Sequence, residues 1–127
     1  MYNNSKVIEA NFEDAQSKVT EALSAQGFGV LTEIDVQATL KKKLDVDFRK
    51  YKILGACNPP FAYKALSMEE NIGVLMPCNV VIQEIEAGKV RVSAVNPLEA
   101  MKAAGNENLA SIAGEVSEKL LKALESL

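Results

Sequence analysis

The sequence predicts an α+β protein: an antiparallel-rich β-sheet covered on one face by helices, in the order β-α-β-(α)-β-α-β-β-α. Three observations carry this. Residues 28–36 alternate in character, with Phe28, Val30, Thr32, Ile34 and Val36 against Gly29, Leu31, Glu33 and Asp35. A strand with one wet face belongs to an antiparallel sheet covered on one side. Residues 72–85 and 89–95 are apolar runs joined by Glu86-Ala87-Gly88-Lys89, which reads as a hairpin. The last twenty residues, from about 108 to 127, put Leu109, Ile112, Val116, Leu120, Ala123, Leu124 and Leu127 on one helical face.

The remaining elements follow in order. Ser5 to Ala10 is a first strand centred on Val7 and Ile8. Asn11 caps a helix, with Asp14 three places on as in a capping box. That helix buries Phe12, Ala15, Val19, Ala22 and Leu23 and ends at Gly27, which suits the left-handed C′ position. After the alternating strand, Asp35 caps a short helix in which Val36, Leu40 and Leu44 recur on one face. Tyr51 to Cys57 is the third strand. Asn58-Pro59-Pro60 starts the next helix, since asparagine caps and proline is tolerated in the first turn. Pro77 interrupts the run 72–85 and marks a bulge, an edge or a break, because proline cannot donate to a ladder. Asn96-Pro97 opens a further helical turn, with Glu99 in capping-box position.

Composition sets the function classes. The 127 residues make one domain, spanning 1–127, large enough to fold without metal or disulfide. With 48% apolar and 24% charged residues the chain has an ordinary soluble profile. A net charge of −3 argues against nucleic acid as partner. The basic cluster Lys41, Lys42, Lys43, Arg49, Lys50 and Lys52 is diluted by Asp45 and Asp47 and reads as a solvated helix face and loop. The start, Met1 to Lys6, lacks the pattern of a secretory signal, and no apolar run is long enough for a membrane. The expected location is the cytoplasm, where two cysteines are free thiols.

Three stretches carry a family resemblance: Gly27-Phe28-Gly29-Val30-Leu31-Thr32-Glu33-Ile34-Asp35-Val36, Tyr51-Lys52-Ile53-Leu54-Gly55-Ala56-Cys57-Asn58-Pro59, and Gly73-Val74-Leu75-Met76-Pro77-Cys78-Asn79-Val80. In order and spacing they resemble the domain of unknown function 302, from about Ser5 to Pro97. The resemblance implies a small bacterial or archaeal α+β domain with TATA-binding-protein-like topology. It implies no reaction, ligand or catalytic residue.

The chemistry on offer lies in two echoing pairs. Cys57-Asn58 and Cys78-Asn79 contain the only cysteines, and each pair adjoins proline. Cys57 lies one residue before a helix cap, where backbone N–H groups favour a thiolate; as a small apolar filler it would be inert. Cys78 sits mid-strand among apolar neighbours, where burial would raise its pKa. Asn58 reads as the helix cap. Asn79, an amide in a strand interior, either fixes the backbone near Pro77 or lines a pocket.

Without histidine no Ser-His-Asp or Cys-His arrangement exists within the chain, and no carboxylates fall at zinc-ligand spacing. The reading is therefore a non-enzymatic, homodimeric module that binds a small ligand or partner at Cys57, Asn58, Cys78 and Asn79, with no metal, cofactor, nucleic acid or membrane. Dimerisation is expected through the apolar strand around Pro77 or the terminal helix. One rival is thiol redox or sulfur-carrier chemistry at Cys57 and Cys78; another is a structural subunit with no ligand.

Overall fold

A computed structural model describes the whole chain, residues 1–127. Strand β1 (Asn3–Glu9) leads into α1 (Phe12–Ala25), β2 (Gly29–Asp35), α2 (Val36–Leu44) and β3 (Tyr51–Cys57). Then come α3 (Pro59–Met68), β4 (Cys78–Glu86), β5 (Lys89–Val95), the single turn α4 (Pro97–Ala100) and α5 (Leu109–Glu125). The strands form one sheet in the order β1-β5-β4-β3-β2, and every neighbouring pair is antiparallel. The α+β class and the element order are those the sequence predicts.

Local chemistry explains most boundaries. Asn11 Oδ1 accepts from the Asp14 backbone N–H at 2.8 Å and starts α1. Gly27, at φ +85°, turns the chain out of α1 in a conformation that costs other residues strain. Asp35 Oδ1 accepts from the Ala38 N–H at 2.9 Å, capping α2. At the other end of the molecule Lys6 Nζ donates to the carbonyls of Glu125 and Leu127, fastening β1 to the last turn of α5.

Alternation along the strands sends Leu54, Ala56, Val80, Ile82, Val90, Val92 and Ala94 to one face, all buried. Helix α1 meets them with Phe12, Ala15, Val19 and Leu23, and α5 with Ile112, Val116, Leu120 and Leu124. Burying each of the valine, leucine, isoleucine and phenylalanine side chains among these stabilises the fold by roughly 1.5–3 kcal/mol. The opposite face of the sheet carries no helix layer.

Several expectations need correction. Residues 28–36 do not keep one apolar face: the register shifts between Val30, opposite Ala56, and Thr32, opposite Gly55. The extra residue, Leu31, moves Thr32 and Ile34 to the uncovered face, while Val30 stays with the helices. The stretch 72–85 is not one strand. Ile72–Leu75 forms a 3₁₀ turn, Met76–Pro77 is a cis peptide, and β4 begins only at Cys78. Cys78 is thus the first residue of its strand. Helix α2 buries none of its residues, so Val36, Leu40 and Leu44 do not contribute to the core.

The two stretches expected to hold a dimer are only partly used within the chain, since Val74 and Leu75, just before Pro77, stay exposed. Strand β4 is the central strand of the sheet, and α5 packs its apolar face on its own core. No helix is long and apolar enough to cross a membrane.

Candidate functional site

Cys57 ends β3 and Cys78 opens β4, and these strands are neighbours, with Ala56 opposite Cys78. Cys57, Asn58 and Cys78 all border one crevice, closed by Phe61 and Ala65 of α3, by Met76, and by Ile112 and Val116 of α5. Its lining is almost wholly apolar and its volume about 40 Å³, room for a few water molecules at most. Both cysteines are half-buried and unbridged. Burial, with the neighbouring Cys57 thiol adding to it, pushes the Cys78 thiol up to about 11. At neutral pH Cys78 is a thiol, which is neither a nucleophile nor a metal ligand.

Asn58 holds the N-cap position of α3, yet its side chain makes no capping bond. Its Nδ2 instead donates to the Gln26 carbonyl at 3.4 Å, in the turn that ends α1. The amide ties the start of α3 to the turn after α1 and does not cap. The sequence-based role of Asn58 as a cap is corrected accordingly.

Asn79 parts company with the other three. It is one residue on from Cys78, so it points to the uncovered side of the sheet, and it is exposed. Its exposed amide can bond to water and needs no partner within the protein. Pro77 lies on that same side over Gly55, where a Cβ would overlap Thr32 Oγ1 and stand 2.8 Å from Pro77 Cγ. Glycine at 55 lets β2 and the Pro77 ring close over β3.

The uncovered side is a trough of about 530 Å³ lined by Asn79, Tyr51, Gln83, Arg91, Ser93 and Ser5, among others. Register builds it in rows. Val7, Arg91, Gln83 and Tyr51 lie across four strands, and Ser5, Ser93, Val81, Ile53 and Ile34 across five. The Ser5 and Ser93 hydroxyls share a hydrogen bond of 2.7 Å, and Ser5 Oγ donates to Asn3 Oδ1 at 3.0 Å. Arg49 Nε donates to Gln83 Oε1 at 3.0 Å. The Arg49 Cζ lies 4.4 Å from the Phe48 ring centre and 5.5 Å from that of Tyr51. Sequence reasoning passed over Tyr51, Gln83, Arg91 and Ser93. The available signal was polar residues at alternate positions of the β4–β5 hairpin, which mark a wet face.

These features define a class: small two-layer α+β proteins whose sheet is packed by helices on one side and open on the other. Within it, the family described as "Domain of unknown function DUF302" matches residues 4–127, and the chain belongs to that family. The match takes in α5, beyond the stretch on which the sequence resemblance rests. A similar solved structure is that of an uncharacterized conserved DUF302 protein from Bacillus stearothermophilus, at 25% sequence identity and a TM-score of 0.90. The alignment covers 98% of this chain and 97% of that one. No curated protein matches the chain.

Proposed function

We propose that the protein is a non-enzymatic small-ligand-binding module whose receptor surface is the open face of the sheet, not the thiol crevice. One observation carries this reading. The trough of about 530 Å³ presents amides, hydroxyls and a guanidinium from paired strands, whereas the thiols line a space of about 40 Å³. Small-molecule sites occupy roughly 300–1,000 Å³ and use a few fixed polar groups for orientation. Side chains on rigid strands supply that fixity better than loops do. Of the Cys-Asn residues, Asn79 belongs to the receptor surface. Cys57, Asn58 and Cys78 seal the end of the core. The thiol reading is disfavoured because Cys78, its resolving partner, stays protonated. A homodimer could use the open face or the exposed apolar residues Tyr63, Leu66, Val74 and Leu75 beside Pro77.

Amide and side-chain NMR of the labelled protein, titrated with a small-molecule extract of the cells that make it, tests the reading. Shifts concentrated at Tyr51, Asn79, Gln83, Arg91 and Ser93 are expected. Shifts confined to Phe61, Met76 and Met101 would move the site to the crevice, and no shifts at all would remove the module's claim to a ligand.

A further inference from the structure

The chain contains only two arginines, Arg49 and Arg91, and the fold brings both to Gln83. Arg49 bonds to the Gln83 side chain, and Arg91 is the residue opposite Gln83 on β5. All six salt bridges of the molecule use lysine; neither arginine takes part in one, although the chain holds 17 acidic residues. By register the nearest carboxylates are Glu9 on β1 and Glu86 on β4, both opposite Lys89 and diagonal to Arg91; Glu86 pairs with Lys89, and neither pairs with Arg91. The trough itself is lined by no acidic residue.

Resting on the reading of the open face as receptor, we propose that its ligand is a small organic oxyanion. Its carboxylate or phosphate is held between Arg49 and Arg91 beside Gln83, and its body lies along Tyr51 and Val81. The guanidinium is the side chain whose planar fork matches such groups, and here both forks are unspent. Arg49 is already positioned. Two aromatic faces and one bond through Nε hold it, which leaves its terminal amino groups for a ligand. Tyr51 and Val81, both half-buried on the trough floor, offer an apolar strip next to the charges. The Ser5–Ser93 hydroxyl pair and Asn79 lie further along the same trough and can bond the polar end of a bound molecule. The choice of charge is specific to this side. A hollow of about 570 Å³ beside Asn4 and α5 presents Glu115 and Glu118 instead.

The experiment is an NMR titration of the full chain with benzoate, phenyl phosphate and the neutral benzamide at low salt. Wild type is compared with Arg91→Gln, Arg91→Lys, Arg49→Gln and, as a control remote from the trough, Lys119→Gln. The side chains of both arginines are exposed, and the unliganded spectrum of each variant checks its fold. One or both anions should shift Tyr51, Gln83, Arg91 and Ser93, and the stronger anion names the oxyanion source. Arg91→Gln should weaken that anion by about tenfold or more, the usual scale of a lost charge-assisted pair. Arg91→Lys should recover only part of this, and Lys119→Gln none of it. Benzamide binding the same residues as tightly as the anions would overturn the oxyanion inference and leave the receptor surface standing. Anion shifts that survive Arg91→Gln and Arg49→Gln unchanged would also overturn it. Loss of trough signals on raising protein concentration without ligand would assign the face to a second copy and defeat both readings.

Discussion

Asn58 Nδ2 donates to the Gln26 carbonyl at 3.4 Å, so the residue that opens α3 holds the turn that closes α1. A Cβ on Gly27 would stand 3.0 Å from that same nitrogen. The contact is long for a hydrogen bond and half-buried, and it carries the β2–β3 pairing, which ends at Gly29 opposite Cys57, on into the two flanking turns.

Replacing Asn58 separates this tie from a helix cap. Asn58→Ala should cost about 1 kcal/mol, the usual net worth of one such bond. Asn58→Ser supplies a side chain that caps helices as well as asparagine does, but it is too short to reach Gln26. The serine variant should therefore be no more stable than the alanine one in urea denaturation. Full recovery in serine would return Asn58 to the capping role.

Gly55 is held to glycine by its neighbours rather than by its backbone angles. A methyl group there meets Thr32 Oγ1 and, at 2.8 Å, the Pro77 ring. Both neighbours are stiff, one β-branched and one cyclic. Gly55→Ala should destabilise by about 1–3 kcal/mol, the range for overpacking. Thr32→Ala in the same chain should recover only part, since the proline remains. Thermal melts of the three variants decide it; an unchanged melting temperature for Gly55→Ala would mean that β2 stands off from β3.

The Cys78 thiol links stability to alkaline pH. Its folded value, about 11, lies above the ordinary 9.0 of an unfolded chain. The fold therefore favours the neutral form. That contribution is fully present below pH 9 and is lost as pH rises towards 11. The gap corresponds to about 3 kcal/mol at most. Urea midpoints from pH 8 to 11 should fall more steeply for wild type than for Cys78→Ala, in which lysines and tyrosines still titrate. Alkylation of native Cys78 by iodoacetamide should stay slow at pH 8. Parallel curves for the two proteins would place the thiol in a wetter setting than the crevice provides.

What could be read from residue order is what local chemistry decides. The Asn11 cap, the Gly27 turn, the Asp35 cap and the β4–β5 hairpin each depend on a few adjacent residues, and each is found. The candidate site was legible in part. Cys57, Asn58 and Cys78 meet because β3 and β4 are neighbours, which alternation along one strand cannot reveal. The same alternation turns Asn79 away. Arg49, Gln83 and Arg91 come together only through strand register and a loop geometry that no short window contains. Their one trace in the sequence is chemical: two arginines among twelve lysines.

The bulge at Leu31 is the clearest case of period failing, and it can be tested by substitution. Read with a strict repeat of two, Phe28 and Ile34 share a face and should be equally costly to change. In the fold Phe28 is buried against the main core, while Ile34 is 49% exposed opposite Ile53 on the open side. Phe28→Ala should then cost about 3–5 kcal/mol. Ile34→Thr keeps a β-branched residue on a wet strand and should change stability by about 0.5 kcal/mol or less. Chemical denaturation of both variants gives the contrast directly. A loss at Ile34 approaching that at Phe28 would mean that something covers the open face in solution. Because a partner's contribution grows with concentration, repeating the Ile34→Thr comparison at tenfold higher protein would expose a second copy as the cover.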